Sequence, residues 1–440
     1  MSSPHNHHAE HPASPTSPAA RRLILALLLP AAVLTLVAMV LLWPHDPPQP
    51  GPADGPVRVL GQVVAVRPVD CPELPDGQES VPGAPTACGT ATVRLTDGAD
   101  AGQQVTTDIP SGPGAIDIAS GDDVVLLSLE GAVEGRKQYS IIDHQRSTEL
   151  WLVAAAFAVA VIAFGRWRGL TALLGLAATF AVLLLFIVPA ILDGRSPVLV
   201  AIVGAAAIML GVLYLTHGFS LTTTIAVAGT LASLTITAAL SAIATAVTHL
   251  SGIADETSSY LNITQGDVNM QGLLLAGIVI GSLGVLDDVT VTQSATVTEL
   301  AAANPAFGFR QLYGAATRVG RAHIASVINT IVLAYAGASL PLMLLFAAGT
   351  TPVGELLTGE LIAQEVVRSV VGTIGLITAV PITTALAALL AARQSPSAAA
   401  ALPKQTAPAA VAEAAPATAA SQPQTDPWMA FVERDRDGGQ

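Results

Sequence analysis

Three carboxylates stand at the end of a long apolar run, and they are the residues best placed to do chemistry in this chain. Asp287 and Asp288 are adjacent in GSLGVLDDVTVTQSATVTELAAANP (residues 281–305), and Glu299 follows them. A charged side chain at the centre of a bilayer costs roughly 2.5–3.5 kcal/mol on insertion scales, so it rarely occurs there without a structural or functional reason. The segment therefore indicates a polar helix within a membrane protein.

Helical geometry sorts these residues onto two faces. Asp288, Thr292 and Glu299 share one face of a helix with 3.6 residues per turn. The adjoining face carries Asp287 together with three hydroxyl residues: Thr290, Ser294 and Thr298. Because polar groups are costly in hydrocarbon, we expect this side of the helix to face other helices or water. Asp287, Asp288, Thr292 and Glu299 are our candidate lining of a polar pathway.

Several kinds of chemistry remain open for such a pathway. Carboxylates and hydroxyls can relay protons or coordinate cations, so the metal question stays open, and no cofactor is expected. A structural ion pair with Arg318 or Arg321 is a rival interpretation. Catalysis by an aspartate pair needs carboxylates that face each other, whereas Asp287 and Asp288 diverge by about 100° around one helix. We therefore expect no enzyme.

The elements that must position these acids are membrane spans. The chain is 52% hydrophobic and only 12% charged, and it offers about eight apolar runs near the length that a bilayer requires. The resulting fold class is an α-helical polytopic membrane protein of about eight transmembrane helices. The predicted spans are Leu23–Trp43, Leu150–Phe164, Leu170–Leu192, Val198–Leu215, Thr222–Val247, Gln271–Val291, Ile324–Ala348 and Val366–Ala392.

The distribution of arginine predicts the orientation. With both termini in the cytoplasm, most basic residues near the spans lie inside, and the short outer loops keep only Arg195, with Arg368 at the edge of the last span. The expected location is the bacterial cytoplasmic membrane. The inner basic residues are Arg21, Arg22, Arg166, Arg168, Arg310, Arg318, Arg321 and Arg393.

The segments outside the spans have distinct compositions. Residues 1–20 and 393–440 are polar or rich in Ala and Pro, which predicts disordered cytoplasmic tails. Residues 23–43 form a membrane anchor rather than a cleaved signal peptide, because no small-residue cleavage site follows them. Residues 44–149 form an extracytoplasmic domain, and residues 150–392 a membrane domain of seven helices.

The extracytoplasmic domain reads as β-rich. Five short alternating runs separated by Gly- and Asp-containing turns predict a small β-barrel or sandwich, of which an OB-like barrel is one form. It carries 16 acidic and six basic residues, and with so few aromatic residues it is not expected to bind nucleic acid. Both cysteines, Cys71 and Cys88, lie in this domain and are candidates for a disulfide.

The chain resembles the YibE/F family of bacterial multi-spanning membrane proteins. Three segments carry the resemblance: GSLGVLDDVTVTQSATVTEL (Gly281–Leu300), RVGRAHIASVINTIVLAYAGASLPLMLLF (Arg318–Phe346) and VGTIGLITAVPITTALAAL (Val371–Leu389). The likeness extends over roughly residues 57–392, and the composition is similar to that of actinobacterial members. The family is tied to no established substrate, so the resemblance implies no catalytic residues.

Two functions from different classes follow. The first is a transporter or channel that moves a small solute or ion across the lipid bilayer through the acid-lined pathway. The alternative is a non-catalytic scaffold or accessory subunit whose outer domain binds a protein partner; a stoichiometric partner in mild detergent would favour it. The sequence leaves the partner and any homo-oligomer open.

Overall fold

The structure is a computed structural model that describes residues 18–45, 57–70, 87–110, 115–130, 137–349 and 352–394. Nearly all of the two predicted tails lies outside these ranges, and so does Cys71. The disorder of the tails and the Cys71–Cys88 disulfide therefore stay predictions. Cys88 itself lies in a strand of the sheet described below.

Helices dominate the described residues. A π-helical turn, Leu183–Ile187, joins the second helix to the third. The helices are α1 (Pro18–Leu41), α2 (Ser147–Val182), α3 (Val188–Leu192), α4 (Pro197–His217), α5 (Leu221–Val247), α6 (Glu256–Thr264), α7 (Met270–Ala303), α8 (Phe309–Ala338), α9 (Leu340–Ala348), α10 (Val353–Thr358) and α11 (Glu360–Gln394).

Six helical segments of the described chain are long and apolar enough to cross a membrane, and α1 adds a shorter apolar stretch, Leu28–Leu41. The prediction of a polytopic helical membrane protein is confirmed, whereas the number eight is not. The six segments are Ser147–Leu192, Pro197–His217, Leu221–Val247, Met270–Ala303, Phe309–Ala338 and Glu360–Arg393.

Local sequence signals set the ends of the membrane helices. Ser220 and Asn269 cap α5 and α7, each accepting a hydrogen bond from the backbone N–H three residues later. Such caps satisfy one of the donors that a helix leaves unpaired at its start. Pro197 opens α4 at a position where its missing N–H costs nothing. These caps and this proline begin three of the helices that surround the acids.

The centre of the membrane domain is the packing of α5, α7 and α11 on one another, with α4 against α7 and α8 against α11. Its core includes Leu213, Val279, Leu286 and Leu376, all buried. Small residues bring two of the helices unusually close. A Cβ added at Gly229 of α5 would collide with Thr383 of α11, and one added at Gly375 of α11 would collide with Thr237 of α5.

The described residues contain five strands: β1 (Val57–Asp70), β2 (Ala87–Leu95), β3 (Gln104–Asp108), β4 (Asp123–Glu130) and β5 (Lys137–His144). They form one antiparallel sheet in the order β3-β2-β1-β4-β5, confirming a β-rich domain. Register shifts at Val63/Ala65 and Val125/Leu126 bend the sheet, and bulges of this kind increase twist. The sheet curls into a half-barrel in which Thr107 on one edge donates to the carbonyl of Tyr139 on the other at 2.6 Å.

Valine at Gly229 or Gly375 should destabilise the membrane domain, because either side chain must push α5 and α11 apart. Overpacking of this kind costs about 1–3 kcal/mol. Gly284 of α7 has no atom within 4 Å of an added Cβ, so Gly284→Val is the matched control. Thermal unfolding in detergent should show a lower midpoint than the wild type for both test variants and an unchanged midpoint for the control. Equal midpoints for all three variants would contradict the close α5–α11 packing.

The stability of the β5 edge of the sheet should depend on pH through Asp100. Its carboxylate accepts hydrogen bonds from Lys137 Nζ at 2.6 Å and Tyr139 Oη at 2.9 Å, and these bonds hold the pKa of Asp100 below its usual value. A lowered pKa contributes stability above the unfolded-state value of about 4 and loses it as the pH falls through the folded-state pKa. The protection of the β5 amides against hydrogen exchange, taken relative to the intrinsic exchange rate at each pH, should therefore fall below about pH 4 in the full-length protein.

Asp100→Asn should remove part of this pH dependence and speed exchange in β5 at neutral pH. Asp108→Asn, at an exposed position on β3, is the control. If both variants exchange like the wild type from pH 3 to pH 7, the Asp100 contacts do not hold this edge.

Candidate functional site

The structure separates the two adjacent acids of α7. Asp288 is exposed, with 71% of its side chain accessible, and its Oδ2 lies 4.0 Å from Nε2 of His323 on α8. Asp287 is partly buried, and its Oδ1 has no hydrogen-bond partner among the described residues. Thr292 and Glu299 are exposed, as Asp288 is. The structure therefore does not bring the four predicted pathway residues together, and Asp287 is the one that points among the helices.

Asp287 lines a cavity of about 660 Å³ between α2, α4 and α7, which we call the Asp287 cavity. This volume lies within the range of about 300–1,000 Å³ that is usual for small-ligand sites. The wall combines a carboxylate, a guanidinium, an imidazole and two hydroxyls with apolar side chains. Its lining residues are Arg168, Ala172, Gly175, Leu176, Thr179, Val212, Thr216, His217 and Asp287.

A sharp bend in α2 brings Arg168 to this wall. Arg166 has φ 50° and ψ −126°, which is not helical, and such a conformation is strained for any residue other than glycine. The bend is so tight that an added Cβ at Gly169 would collide with the carbonyl of Val161. Strained residues of this kind cluster at functional sites. The bend also divides the apolar segment Ser147–Leu192 at the point where the sequence predicts a break between two spans.

The end of α4 supplies the opposite wall. Thr216 Oγ1 lies 2.8 Å from Nδ1 of His217, and it also lies 2.8 Å from the carbonyl of Val212. These contacts fix the imidazole at the rim of the cavity. None of the ion pairs found in the described residues joins Asp287 to Arg168 or His217. The charged groups therefore line the space without filling it with a salt bridge.

This arrangement suits a small polar or charged occupant. A carboxylate and an imidazole can both take up and release protons. Within the described part of the chain, no group of three or more His, Cys, Asp or Glu side chains is arranged to hold a metal ion. The polar side chains of the cavity wall offer a ligand hydrogen bonds and charge.

The hydroxyl-rich face of α5 has a different role. Thr230, Ser233, Thr237 and Ser241 are buried, and each donates to the carbonyl four residues earlier in its own helix. Thr230 also meets Thr290 of α7, with 2.6 Å between their hydroxyl oxygens. The face therefore packs α5 against its neighbours, as small hydroxyl residues commonly do in membrane helices.

Gln293 is a polar contact that the sequence interpretation missed. It is buried on α7, and its Nε2 donates to the carbonyl of Ala316 on α8 at 2.8 Å. An added Cβ at Gly320 would meet its Oε1 at 2.7 Å. The signal was present in the sequence, because Gln293 follows Leu286 and Val289 on the apolar face of α7. A polar residue in the middle of an apolar face indicates a partner on a neighbouring helix.

The two proposed charge partners lie elsewhere. Arg318 and Arg321 are exposed on α8, and within the described residues neither forms an ion pair with Asp287, Asp288 or Glu299. His323, two residues after Arg321, is the residue that approaches Asp288. His217 and Arg168 were not assigned to the site from sequence. Both stand at the ends of predicted spans, where only the folded chain shows that they meet Asp287.

Replacing Gln293 with leucine should weaken the contact between α7 and α8. Hydrogen bonds between membrane helices contribute about 0.6 kcal/mol on average and at most about 1.7 kcal/mol, so a small fall in the thermal midpoint in detergent is expected. Thr292→Val, at the exposed neighbouring position, should leave the midpoint unchanged. A Gln293→Leu protein as stable as the wild type would show that this bond contributes nothing measurable.

Comparison with known proteins agrees with the membrane domain. A family model described as YibE/F-like protein matches residues 153–393, which is more than half of the chain. This region runs from α2 to α11, so it contains the Asp287 cavity, whereas α1 and the sheet lie outside it. No curated protein and no solved structure matches the chain. The chain belongs to the YibE/F-like protein family.

Proposed function

We propose that this protein is a multi-pass protein of the bacterial cytoplasmic membrane that moves a small solute or ion through the Asp287 cavity. Two observations carry the proposal: Asp287 borders a space of about 660 Å³, and its Oδ1 has no hydrogen-bond partner among the described residues. A buried polar atom without a partner is costly. Water or a passing ion in the cavity would give the carboxylate an interaction partner.

The proposed topology has eight crossings with both termini in the cytoplasm. Counting α1 as an anchor and dividing α2 at Arg166 adds two crossings to the six long segments. The starts of α4 and α11 and the Ser251–Gly252 turn lie at the same end of the bundle. Glu360, the first residue of α11, accepts hydrogen bonds from the backbone N–H groups of that turn. Arg166, Arg310 and Arg393 then lie at the other end, and the positive-inside rule favours that end as cytoplasmic.

Transport fits the geometry better than catalysis by an acid pair. Asp287 borders a cavity and Asp288 is exposed, so the two carboxylates do not face each other across one substrate site. The half-barrel sheet, which we infer to be OB-like from its five strands and partial closure, lies outside the matched family region. We assign it no part in the movement of the solute.

Asp287→Asn should reduce flux, and Asp288→Asn is its matched control. Both changes remove one carboxylate from adjacent positions of α7, but only the first alters the cavity wall. Purified protein in liposomes would be tested with a pH-sensitive dye for protons, with potassium gradients, and by osmotic swelling for small neutral solutes. Losing a charge interaction of about 1.4 kcal/mol corresponds to a tenfold effect, so Asp287→Asn should lower the rate by about tenfold or more.

The comparison requires that wild-type protein carries at least one of these fluxes above the level of empty liposomes. Equal rates for the wild type and both variants would refute the role of Asp287. A larger loss with Asp288→Asn than with Asp287→Asn would place the pathway on the exposed face of α7 instead.

A further inference from the structure

A second cavity lies on the other side of α7, between α7, α8 and α11, and we call it the Arg368 cavity. Its volume is about 330 Å³, and it shares no lining residue with the Asp287 cavity. Most of its wall is aliphatic, from Ile278 and Val285 of α7 and from Ile331 and Ala334 of α8. On volume alone it could hold a small ligand or part of a lipid chain.

One cation stands in this apolar space. Arg368 of α11 donates from Nη1 to Glu365 Oε1 at 2.7 Å. Its Nε is buried and has no hydrogen-bond partner among the described residues. An unpaired donor on a guanidinium is costly away from water, because hydrogen bonds to charged groups are stronger than those between neutral groups. One donor of Arg368 therefore has no acceptor in the described part of the chain.

Arg368 and Ser369 are adjacent in the wall, at the edge of the predicted span Val366–Ala392. Ser282, Tyr335 and Thr373 add hydroxyls to the wall, and the other lining residues are aliphatic or glycine. A ligand that fits would place a charged acceptor at Arg368 and its hydrocarbon along Val285 and Ile331.

We propose that the Arg368 cavity binds one anionic lipid, whose phosphate oxygen accepts a hydrogen bond from the Arg368 guanidinium and whose acyl chain lies along Val285 and Ile331. The side chains of Glu365 and Arg368 are each about one-third exposed, and their hydrogen bond uses one of the five guanidinium N–H groups. The exposed part of the guanidinium can bind an anion, and a lipid supplies both the charge and the chain. This site is independent of transport through the Asp287 cavity.

Native mass spectrometry of the full-length protein in mild detergent tests the proposal. Phosphatidylglycerol and phosphatidylcholine would be titrated separately, and inorganic phosphate alone would be the third arm. Wild-type protein should retain one phosphatidylglycerol at a concentration at least tenfold below that required for phosphatidylcholine. Inorganic phosphate should not compete at comparable concentrations, since it lacks the chain.

Two kinds of substitution test recognition of the lipid headgroup and of the acyl chain separately. Arg368→Gln should remove the preference for phosphatidylglycerol, whereas Arg321→Gln, on the exposed side of α8, should keep it. Gly372→Phe should fill the cavity and reduce retention of both lipids, since a Cβ at Gly372 has only Ser282 at 4.0 Å. Gly284→Phe, where an added Cβ meets no atom, is its control. If Gly372→Phe fails to fold, Ala334→Phe fills the same cavity from α8.

Three outcomes would overturn the proposal. Equal retention of the two lipids by wild-type protein would exclude recognition of the head. An Arg368→Gln protein that keeps the preference would exclude Arg368. Displacement of phosphatidylglycerol by inorganic phosphate would make the site one for free anions rather than lipid.

Discussion

A buried polar group needs a hydrogen-bond partner, and this constraint shapes the packing of α7. Away from water, each such group must find a partner within the protein or border a space that holds water. Thr290 meets Thr230 of α5, Gln293 reaches the backbone of α8, and Ser294 donates to the carbonyl of Thr222. Three neighbouring contacts thus hold α7 at the centre of the bundle. Asp287 has no such partner among the residues that the structure describes, and it borders a cavity instead.

Close helix packing depends on glycine at three positions of the bundle. Gly229 and Gly375 allow α5 and α11 to approach each other, and Gly320 lets α8 approach Gln293. Small residues have this role widely in membrane helices, because lipid tails are as apolar as leucine and supply little drive for helices to associate. At Gly320 the missing side chain leaves room for Gln293, which donates to the carbonyl of Ala316.

The spans of the membrane domain could be predicted from sequence because apolar runs of bilayer length are a strong signal. The division between residues 150–164 and 170–192 coincides with the bend at Arg166, although α2 continues through it as one long apolar segment. The sequence could not show which face of α7 turns inward. Helical periodicity places Asp287 and Asp288 about 100° apart, but Leu286, Val289 and Val297 decide the inward direction by packing in the core.

Contacts between residues that are distant in the sequence could not be predicted from apolar runs and helical periodicity. Arg168 and His217 read only as span ends, and no spacing in the sequence relates them to Asp287. Gln293 was visible within the D-D-V-T-V-T-Q motif, yet its partner is a backbone carbonyl, which leaves no mark on composition. The Arg368 cavity likewise depends on three helices at once. Sequence therefore predicts which helices cross, while the cavities follow from how those helices pack.

The position of the exposed acids along α7 explains how the membrane tolerates them. At 1.5 Å per residue, Asp288 lies about 27 Å from Met270, close to the roughly 30 Å thickness of a hydrocarbon core. Glu299 lies about 44 Å along the same axis, beyond that thickness. A helix that enters the bilayer at Met270 thus delivers Asp288 to the far interface and Glu299 to water, where exposure costs little. Asp287 is at the same depth as Asp288, but its side chain is turned toward α2 and α4. The two aspartates therefore have different surroundings because they lie on different sides of the helix, and of the two only Asp287 borders the Asp287 cavity.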